Sequence, residues 1–283
     1  MNELAVDFDA LVSRRVSWEN YKLPTIPAAS IRLMKLVADQ QSTPGDMEKA
    51  VAMDPVLASQ IFKVANSCVY GGVVQVSSLK AAFLRMGRKQ IRSIITMTAI
   101  KSCLISDKVF LAPIKLIWEH SVCCAFFGRE LAQRTGQDSE EFFLVGLFHN
   151  IGQLMILSLL HDVLQQSSLD LSPELLGKLY ESHQQGMSRQ LLAAWKISQN
   201  VADVINAWLA QGNSDATEAA PPDQRRATAT LQLACHLCRM VEADRVDAAP
   251  LLDELKLLQL PEQIVPELAN RIKEIKKEIM AFV

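Results

Sequence analysis

The sequence predicts an all-α protein, because apolar residues recur at helical spacing along nearly the whole chain. Residues 71–78 (GGVVQVSS) form the one stretch that is rich in β-branched residues. Since glycines begin this stretch and serines end it, we interpret it as a loop. The chain has 283 residues, of which 49% are hydrophobic and 21% charged, and it can build a substantial core in one large domain or in two lobes.

Helix starts recur as an N-cap oxygen followed directly by a proline at the first helical position. These pairs are Thr43-Pro44, Asp54-Pro55 and Ser172-Pro173. Ser77, Asp138 and Ser198 are expected to cap three more helices. Caps and periodicity together predict helices near residues 3–14, 27–40, 44–53, 55–66, 78–86, 88–105, 112–135, 139–160, 173–184, 187–195, 199–210, 222–244, 248–258 and 262–281.

The end of the chain contains a predicted loop and an amphipathic helix. Residues 211–224 (QGNSDATEAAPPDQ) are polar and include two prolines, which is typical of a loop. The last helix has Ile272, Ile275 and Ile279 on one side. This side either packs back on the body of the protein or contacts a partner, including a second copy of the chain in a homodimer.

Composition excludes several classes of protein. The net charge is −2 and like charges do not cluster, so direct nucleic-acid binding is not expected. The N-terminus has no apolar signal core, and no run approaches the roughly 20 apolar residues of a membrane span. Cys123 and Cys124 are adjacent, and Cys235 and Cys238 lie three apart on one helix face. We interpret these cysteines as reduced core thiols of a cytoplasmic protein.

Three of the five histidines stand in distinctive contexts on three predicted helices. His120 lies in LIWEHSVCCAFF, His149 in GLFHNIGQL and His183 in YESHQQGMSRQ. Imidazoles that converge from separate helices are the way in which helical bundles build metal sites. The alternative is that these are hydrogen-bonded core residues.

An ordered series of short motifs resembles the HDOD domain, a bacterial regulatory relative of the HD phosphohydrolases. The matching positions are Leu23-Pro24, Pro27, Asp54-Pro55, Asn66-Ser67, Tyr70, Ala81, Gly87, Trp118, His120, Gly146, His149, Gly152, His183, Gly186 and Trp195. The resemblance covers about residues 20–240. It implies an N-terminal helical lobe (20–108) packed on an HD-like bundle (109–240), with an N-terminal helix (1–19) before them. The C-terminal helices (241–283) are expected to pack on the bundle.

The same resemblance places this chain's residues on the metal ligands of active HD enzymes. His120 corresponds to the first histidine, and His149 to the histidine of the His-Asp pair, with Asn150 where the aspartate belongs. Cys235 falls at the position of the late aspartate. His183 matches a further motif that supplies a ligand in cyclic-dinucleotide phosphodiesterases of the superfamily.

The absence of both carboxylates argues against catalysis. A bridging carboxylate offsets the charge of two divalent ions and accepts hydrogen bonds from the metal-bound water. Asn150 is neutral, so a metal pair is not expected and we predict no metal cofactor. A single Zn²⁺ on His120, His149 and Cys235 is the chemically permissible alternative. Otherwise His149 and Asn150 form a hydrogen-bonded buried pair, with His120 as one partner.

Two further groups of residues were weighed as sites. Arg85, Arg88, Lys89 and Arg92 surround a helix start and could receive a phosphate or nucleotide, or else form a solvated face. The literal His161-Asp162 pair lacks the following Ile-Gly, and we interpret its histidine as a partner of a helix C-terminus.

The sequence thus predicts a non-catalytic regulatory module for signal transduction in a bacterial cytoplasm. It would bind a signalling protein or a small ligand, for instance a nucleotide, through a degenerate HD pocket. The alternative function is a metal-dependent phosphohydrolase that acts on a nucleotide or cyclic dinucleotide with altered metal ligands.

Overall fold

The computed structural model describes residues 26, 28–67, 70, 74–104, 111–164, 172–210 and 220–279, and these residues contain helices and no strand. The α-helices, numbered α1 to α12 in chain order, are Ala28–Ala38, Pro44–Ala52, Pro55–Ala65, Leu79–Leu104, Leu111–Thr135, Ser139–Phe148, Ile151–Leu164, Pro173–Ala194, Gln199–Leu209, Pro222–Glu242, Leu252–Leu257 and Ile264–Ile279. A 3₁₀ turn, Ala249–Leu251, precedes α11. The all-α prediction is confirmed.

Most predicted boundaries agree with the structure, and two predictions about helix continuity are wrong. The predicted helix 139–160 is two helices, α6 and α7, separated by the turn at His149 and Asn150. The predicted helices 173–184 and 187–195 are the single helix α8. Gly186 did not end this helix because a glycine in a helix costs only about 0.5–1 kcal/mol. The predicted helix 3–14 and residues 211–219 of the predicted loop lie outside the described residues.

Gly87 interrupts α4 where the sequence analysis placed a break between two helices. Its φ of 80° lies in the left-handed region, which favours glycine, and α4 is kinked there. Residues 74–78 are neither helix nor strand, as predicted for this part of the 71–78 loop. Asn66 ends α3, and its side-chain amide bonds both backbone groups of Val76, which holds the returning chain.

The predicted caps at Thr43, Asp54, Asp138 and Ser172 are all present, since each side chain accepts a hydrogen bond from a backbone N–H in the first turn of its helix. Two predicted caps are wrong. The cap of α4 is Ser78, whose hydroxyl oxygen lies 3.2 Å from Ala81 N, and not Ser77. Ser198 precedes α9 but makes no side-chain capping bond.

The N-cap Asp138 is predicted to stabilise the protein by an amount that depends on pH. Its carboxylate accepts from the N–H groups of Glu141 and Glu140, and the bond from Glu141 is the main reason that the pKa of this carboxyl is lowered. Replacing it with alanine should cost about 1 kcal/mol of unfolding free energy at neutral pH. Because the folded pKa lies below the unfolded one, this contribution is present above the ordinary carboxyl pKa and is lost as the pH falls through the folded value.

Urea unfolding of wild type and Asp138→Ala should therefore differ at pH 7. The two curves should converge at the lowest pH at which both proteins still unfold cooperatively. Ser198→Ala is the matched control, since Ser198 also precedes a helix but caps nothing, and its change should stay within about 0.5 kcal/mol. A loss for Asp138→Ala that is independent of pH would contradict a role for the charged form.

Helix α4 joins the two parts of the fold. On one side it packs against α1, α2 and α3, and on the other against α6 and α7. In the second part α5 and α6 form the closest pair, α10 packs on α5 and α9 on α6 and α10. One continuous hydrophobic core runs through both parts. The bundle therefore brings α5, α6 and α10 together at its centre.

A buried ion pair lies where α4 meets the bundle. Arg129 of α5 is 4% exposed, and its guanidinium lies 2.9 Å from Glu140 Oε2 of α6. The same carboxylate oxygen accepts from the Ser93 hydroxyl of α4 at 2.6 Å, and Arg129 also bonds the Tyr70 hydroxyl. The guanidinium stands 4.2 Å from the centre of the Phe143 ring. This network ties the N-terminal lobe to the bundle by charged and aromatic contacts.

The chain end and the most apolar segment are both part of the core. Ile272 and Ile275 of α12 are 0% and 1% exposed, and α12 packs on α5 and α10, so the predicted packing on the body is confirmed for these residues. The stretch Ser139–Leu160 is long and apolar enough to cross a membrane by length and composition, contrary to the sequence analysis, but 83% of its apolar 18-residue window is buried inside the protein. A core helix passes the same test.

Candidate metal centre

Four potential metal ligands converge from three helices at the centre of the bundle. His120 and Cys124 stand one turn apart on α5, so both point to the same side. His149 is the residue directly after α6, and Cys235 lies in the middle of α10. The tight packing of these three helices therefore decides how close the four side chains come.

Gly146 allows α6 to approach α5 at this point. A Cβ atom on Gly146 would lie only 2.4 Å from the carbonyl oxygen of Cys124 and 2.6 Å from Cα of Ala125. Real Cβ contacts are never that short, so the two backbones can meet here only with glycine. His149 follows three residues later. Because the two helices are so close at Gly146, the His149 ring lies next to Cys124.

The four ligand atoms form a compact, buried cluster. One ring nitrogen of each histidine and the sulfurs of Cys124 and Cys235 all lie within 4.8 Å of one another. His120 Nε2 lies 3.4 Å from Cys124 Sγ, and the two sulfurs are 3.8 Å apart. His120 is 9% exposed and the other three residues are at most 1% exposed. We call these four residues the His₂Cys₂ cluster.

The outer nitrogen of each histidine is held by an oxygen outside the cluster. His149 Nδ1 lies 2.6 Å from the carbonyl oxygen of Gly146, and His120 Nδ1 lies 3.5 Å from Glu242 Oε1. A carbonyl only accepts, so Nδ1 of His149 carries the proton and Nε2 carries the lone pair. His149 Nε2 is buried and has no hydrogen-bond partner. The Trp208 ring packs edge-on against His149, with the ring centres 5.2 Å apart.

Within the cluster the pKa of the His120 imidazole is raised and the pKa of the Cys235 thiol is lowered. Burial lowers the pKa of His120, but hydrogen bonds to Cys235 and Glu242 outweigh this effect and raise it to about 10. A hydrogen bond from Cys124 lowers the pKa of Cys235, and the two imidazoles add to this against the opposing effect of burial. Burial raises the pKa of Cys124. The arrangement thus favours a thiolate at Cys235, the form of cysteine that binds metals.

A second pair of thiols lies beside the cluster on the same two helices. Cys238 Sγ of α10 is 3.2 Å from Cys123 Sγ of α5, and both residues are buried as free thiols. The pair stands outside the group of atoms that could share one ion. It provides a natural comparison for the two cysteines of the cluster.

The structure brings together three of the five residues that the sequence analysis placed at the degenerate metal site, namely His120, His149 and Cys235. Asn150 is buried in the turn after α6, and His183 lies half-buried on α8. Neither belongs to the cluster. The bonding partner of His149 Nδ1 is the Gly146 carbonyl and not Asn150.

The sequence analysis missed Cys124 as a member of this group. Two signals in the sequence could have indicated a soft-metal site. Cys124 follows His120 by four residues, which places both on one helix face, and Cys235 and Cys238 form a Cys-x-x-Cys pair. The expected Cys123-Cys124 core thiols are indeed buried and reduced.

The basic residues around the start of the second half of α4 are largely used in structure. Arg85 donates to the carbonyls of Ala65 and Val74, and Arg88 donates to those of Asp39 and Ser42. Lys89 pairs with Asp138 at 3.5 Å on the surface, and Arg92 is exposed. Phosphate binding by these four residues stays a prediction, but two of them hold loop carbonyls instead of facing solvent.

The side chains of His161 and Asp162 lie outside the described part of the chain.

A cavity lies beside α10, and none of the four cluster residues lines it. Its volume is about 670 Å³, and its lining comes from α9, α10 and α11 and includes Arg225, His236 and Glu254. His236 Nδ1 lies 3.4 Å from Glu254 Oε1. This size is ordinary for a small-ligand site. A ligand here would contact α10 without reaching the buried cluster.

Comparison with known proteins identifies the family. The model of the HDOD domain family matches residues 23–209, and the chain belongs to this family. Cys235 lies beyond the matched residues. A protein of Treponema pallidum (strain Nichols) is 20% identical over 138 residues, which make up 48% of this chain and 26% of that protein.

Solved structures share the fold. The "Putative metal-dependent phosphohydrolase" of Shewanella amazonensis SB2B superposes with a TM-score of 0.72 at 20% identity, over 98% of each chain. The "Putative signal transduction protein" of Marinobacter aquaeolei VT8 superposes with a TM-score of 0.60 at 21% identity, over 92% of this chain and 59% of that one. Identities this low show the common fold alone.

The pair of metal ions used by HD phosphohydrolases does not fit the residues found here. Such a pair needs carboxylates that bridge the ions, and the cluster consists of two imidazoles and two thiols. The Glu242 carboxylate lies 3.5 Å from the outer nitrogen of His120 and not among the ligand atoms. We therefore derive no hydrolytic step through a metal pair in this chain.

Proposed function

We propose that this chain is a non-catalytic regulatory module of signal transduction. The observation that carries this proposal is the composition of the former HD site, where two thiols stand beside two histidines and no carboxylate belongs to the cluster. Without bridging carboxylates the site lacks the groups that bind two hard cations and activate a water molecule.

Burial of the site supports the same function. A hydrolase must expose its metal-bound nucleophile to a phosphate ester, whereas the His₂Cys₂ cluster is at most 9% exposed at every residue. Trp208 packs edge-on against His149, and Glu242 lies 3.5 Å from the outer nitrogen of His120, so both histidines are also covered on their outer sides. A phosphate ester in solution would therefore make little contact with these four residues.

The partner of such a module would be a signalling protein or a small ligand. The cavity between α9, α10 and α11 has the size and the mixed lining for a small ligand, and Arg225 and His236 supply cationic or hydrogen-bonding groups. The name of the Marinobacter neighbour, "Putative signal transduction protein", is compatible with this class of function. We infer that regulation, if a ligand is involved, acts through this cavity and not through the buried cluster.

A hydrolysis assay tests the proposal. The full chain is incubated with bis(p-nitrophenyl) phosphate and with cyclic dinucleotides, in separate reactions containing Mn²⁺, Mg²⁺ or Zn²⁺. We expect no turnover above that of a His149→Ala variant, because the residues present cannot hold a metal pair. Metal-dependent turnover that His149→Ala abolishes would establish the alternative, a phosphohydrolase with altered ligands.

A variant with an added carboxylate tests whether the absence of that one group is enough to prevent catalysis. Asn150→Asp restores the acidic residue that HD enzymes have at this position. If the missing carboxylate alone prevents catalysis, this variant should gain Mn²⁺-dependent turnover. If Cys124 and Cys235 also exclude the metal pair, as we propose, both proteins should remain inactive.

A further inference from the structure

We propose that His120, Cys124, His149 and Cys235 bind one Zn²⁺ ion in a closed tetrahedral site that joins α5, α6 and α10. This inference concerns the structural chemistry of the bundle and holds whether or not the regulatory function is correct. It names a metal, a stoichiometry and a ligand set that differ from those of the HD phosphohydrolases.

Two of the distances between ligand atoms are close to those of a tetrahedral zinc site, and all four atoms lie within 4.8 Å of one another. With Zn–S near 2.3 Å and Zn–N near 2.0–2.1 Å, tetrahedral geometry requires about 3.8 Å between two sulfurs and about 3.6 Å between a sulfur and a nitrogen. The sulfurs of Cys124 and Cys235 are 3.8 Å apart, and His120 Nε2 lies 3.4 Å from Cys124 Sγ. A zinc ion can therefore enter with small adjustments of the side chains.

The hydrogen bonds around the cluster orient both histidines as metal ligands. A ligating histidine donates its other ring N–H to a carboxylate or a backbone carbonyl, which sets the tautomer and aims the free nitrogen at the metal. His120 does this through Glu242 and His149 through the Gly146 carbonyl. Lys276 also pairs with Glu242 at 3.4 Å, which holds the carboxylate in place.

The unpartnered nitrogen of His149 is an independent sign of a missing ligand. His149 is 0% exposed, and its Nε2 atom has no hydrogen-bond partner. A buried acceptor without a partner is destabilising, and nearly all such groups in proteins are satisfied. A zinc ion bound to Nε2 would satisfy it.

The charge of the ligand set selects the type of metal. A bound metal would displace the protons of the ligand atoms, and the resulting two thiolates and two neutral imidazoles would carry a charge of −2, which compensates one divalent cation in a buried site. Soft sulfur and imidazole ligands prefer Zn²⁺ to Mg²⁺, Ca²⁺ or Mn²⁺. Because all four positions would come from the protein, no open position is left for water, and the ion would be structural and not catalytic.

Metal analysis of the purified full chain tests this inference. The protein is prepared without a histidine tag, passed over a chelating resin and measured by inductively coupled plasma mass spectrometry. We expect one zinc per chain. Replacement of zinc by Co²⁺ should give the strong visible absorption of a tetrahedral thiolate complex, which a surface-bound six-coordinate ion does not give.

Matched cysteine variants separate this site from other buried thiols. Cys124→Ser and Cys235→Ser should lose the zinc and the Co²⁺ spectrum, whereas Cys123→Ser and Cys238→Ser should keep both. Cys123→Ser is the control for Cys124→Ser on α5, and Cys238→Ser is the control for Cys235→Ser on α10. All four cysteines are at most 2% exposed. Circular dichroism and gel filtration check folding, and the wild-type stoichiometry decides the question even if a variant fails to fold.

Three outcomes would overturn the inference. The first is wild-type protein that contains no zinc, takes up none and keeps the same melting temperature when zinc or a chelator is added. The second is retention of zinc by Cys124→Ser together with its loss from Cys123→Ser. The third is a Cys124–Cys235 disulfide in freshly purified protein. Zinc content is measured without any hydrolysis assay. The zinc site and the proposed non-catalytic function can therefore be refuted independently.

Discussion

Arg129→Ala is expected to lower the free energy of unfolding by about 3–5 kcal/mol, the range found when one partner of a buried ion pair is removed. The substitution leaves the Glu140 carboxylate buried with only the Ser93 hydroxyl as a partner at Oε2. It also removes the cation from the face of the Phe143 ring. At about 2–4 °C per kcal/mol, the melting temperature should fall by roughly 10 °C.

Arg134→Ala is the control for this prediction. Arg134 lies on the same helix and pairs with Glu130 and Glu267 at 2.9 and 2.8 Å, so its ion pairs are as short as that of Arg129. The Arg134 side chain is 32% exposed and that of Glu267 62% exposed, and we expect a loss of only about 0–1 kcal/mol. Equal losses for the two variants would show that burial does not determine the strength of the Arg129 pair.

A double variant distinguishes two causes of the stability loss in Arg129→Ala, namely the lost attraction between Arg129 and Glu140 and the unpaired charge left on Glu140. Arg129→Met combined with Glu140→Met removes both charges and fills part of the space with apolar atoms. We expect it to be more stable than Arg129→Ala, because no charge is left buried without a partner. Chemical denaturation with a linear extrapolation measures all these changes. A double variant that is less stable than Arg129→Ala would locate stabilisation in the Ser93–Glu140 hydrogen bond, since the Tyr70 bond is lost in both variants.

Gly146→Ala is expected to destabilise the bundle by about 3 kcal/mol or more, at the upper end of the range for overpacking. The new Cβ atom would lie 2.4 Å from the Cys124 carbonyl oxygen and 2.5 Å from its carbonyl carbon. These are backbone atoms, so no change of rotamer relieves the contact and α6 must move away from α5. This shift would also draw His149 away from Cys124 and weaken zinc binding.

Gly177→Ala on α8 is the matched control for this change. A Cβ atom on Gly177 meets nothing within 4 Å, so the same substitution adds no contact there. We expect it to raise stability by about 0.5–1 kcal/mol, since alanine loses less conformational entropy than glycine in a helix. Thermal unfolding of both variants and their zinc content provide the test. A neutral Gly146→Ala would mean that α5 and α6 are not in close contact at this point.

The helices were predictable because their signals are local. An N-cap oxygen beside a proline at Thr43, Asp54 and Ser172, and an apolar stripe every three to four residues, depend on no distant contact. The break at Gly87 was also readable, because the φ of a glycine is a property of one residue. The turn at His149 and Asn150 was missed, since no proline or cap marks it and the apolar pattern continues through it.

The candidate site was predictable only where a family pattern was available. His120, His149 and Cys235 correspond to positions of the HD motif, and the structure brings them together. Cys124 corresponds to no such position, and its membership depends on the distance between α5 and α10. The resemblance also placed Asn150 and His183 at the degenerate site, and the structure places both outside the cluster.

The sequence by itself determined the all-α class, most of the helix boundaries and the presence of Asn150 directly after His149. These follow from local propensity, from periodicity and from the identity of single residues. The tertiary structure alone decided that two thiols and two imidazoles lie within one coordination shell, and that Arg85 and Arg88 hold loop carbonyls. The physical reason is that interatomic distances between helices depend on how their faces pack, and the glycine at position 146 lets α6 approach α5 beside the cluster.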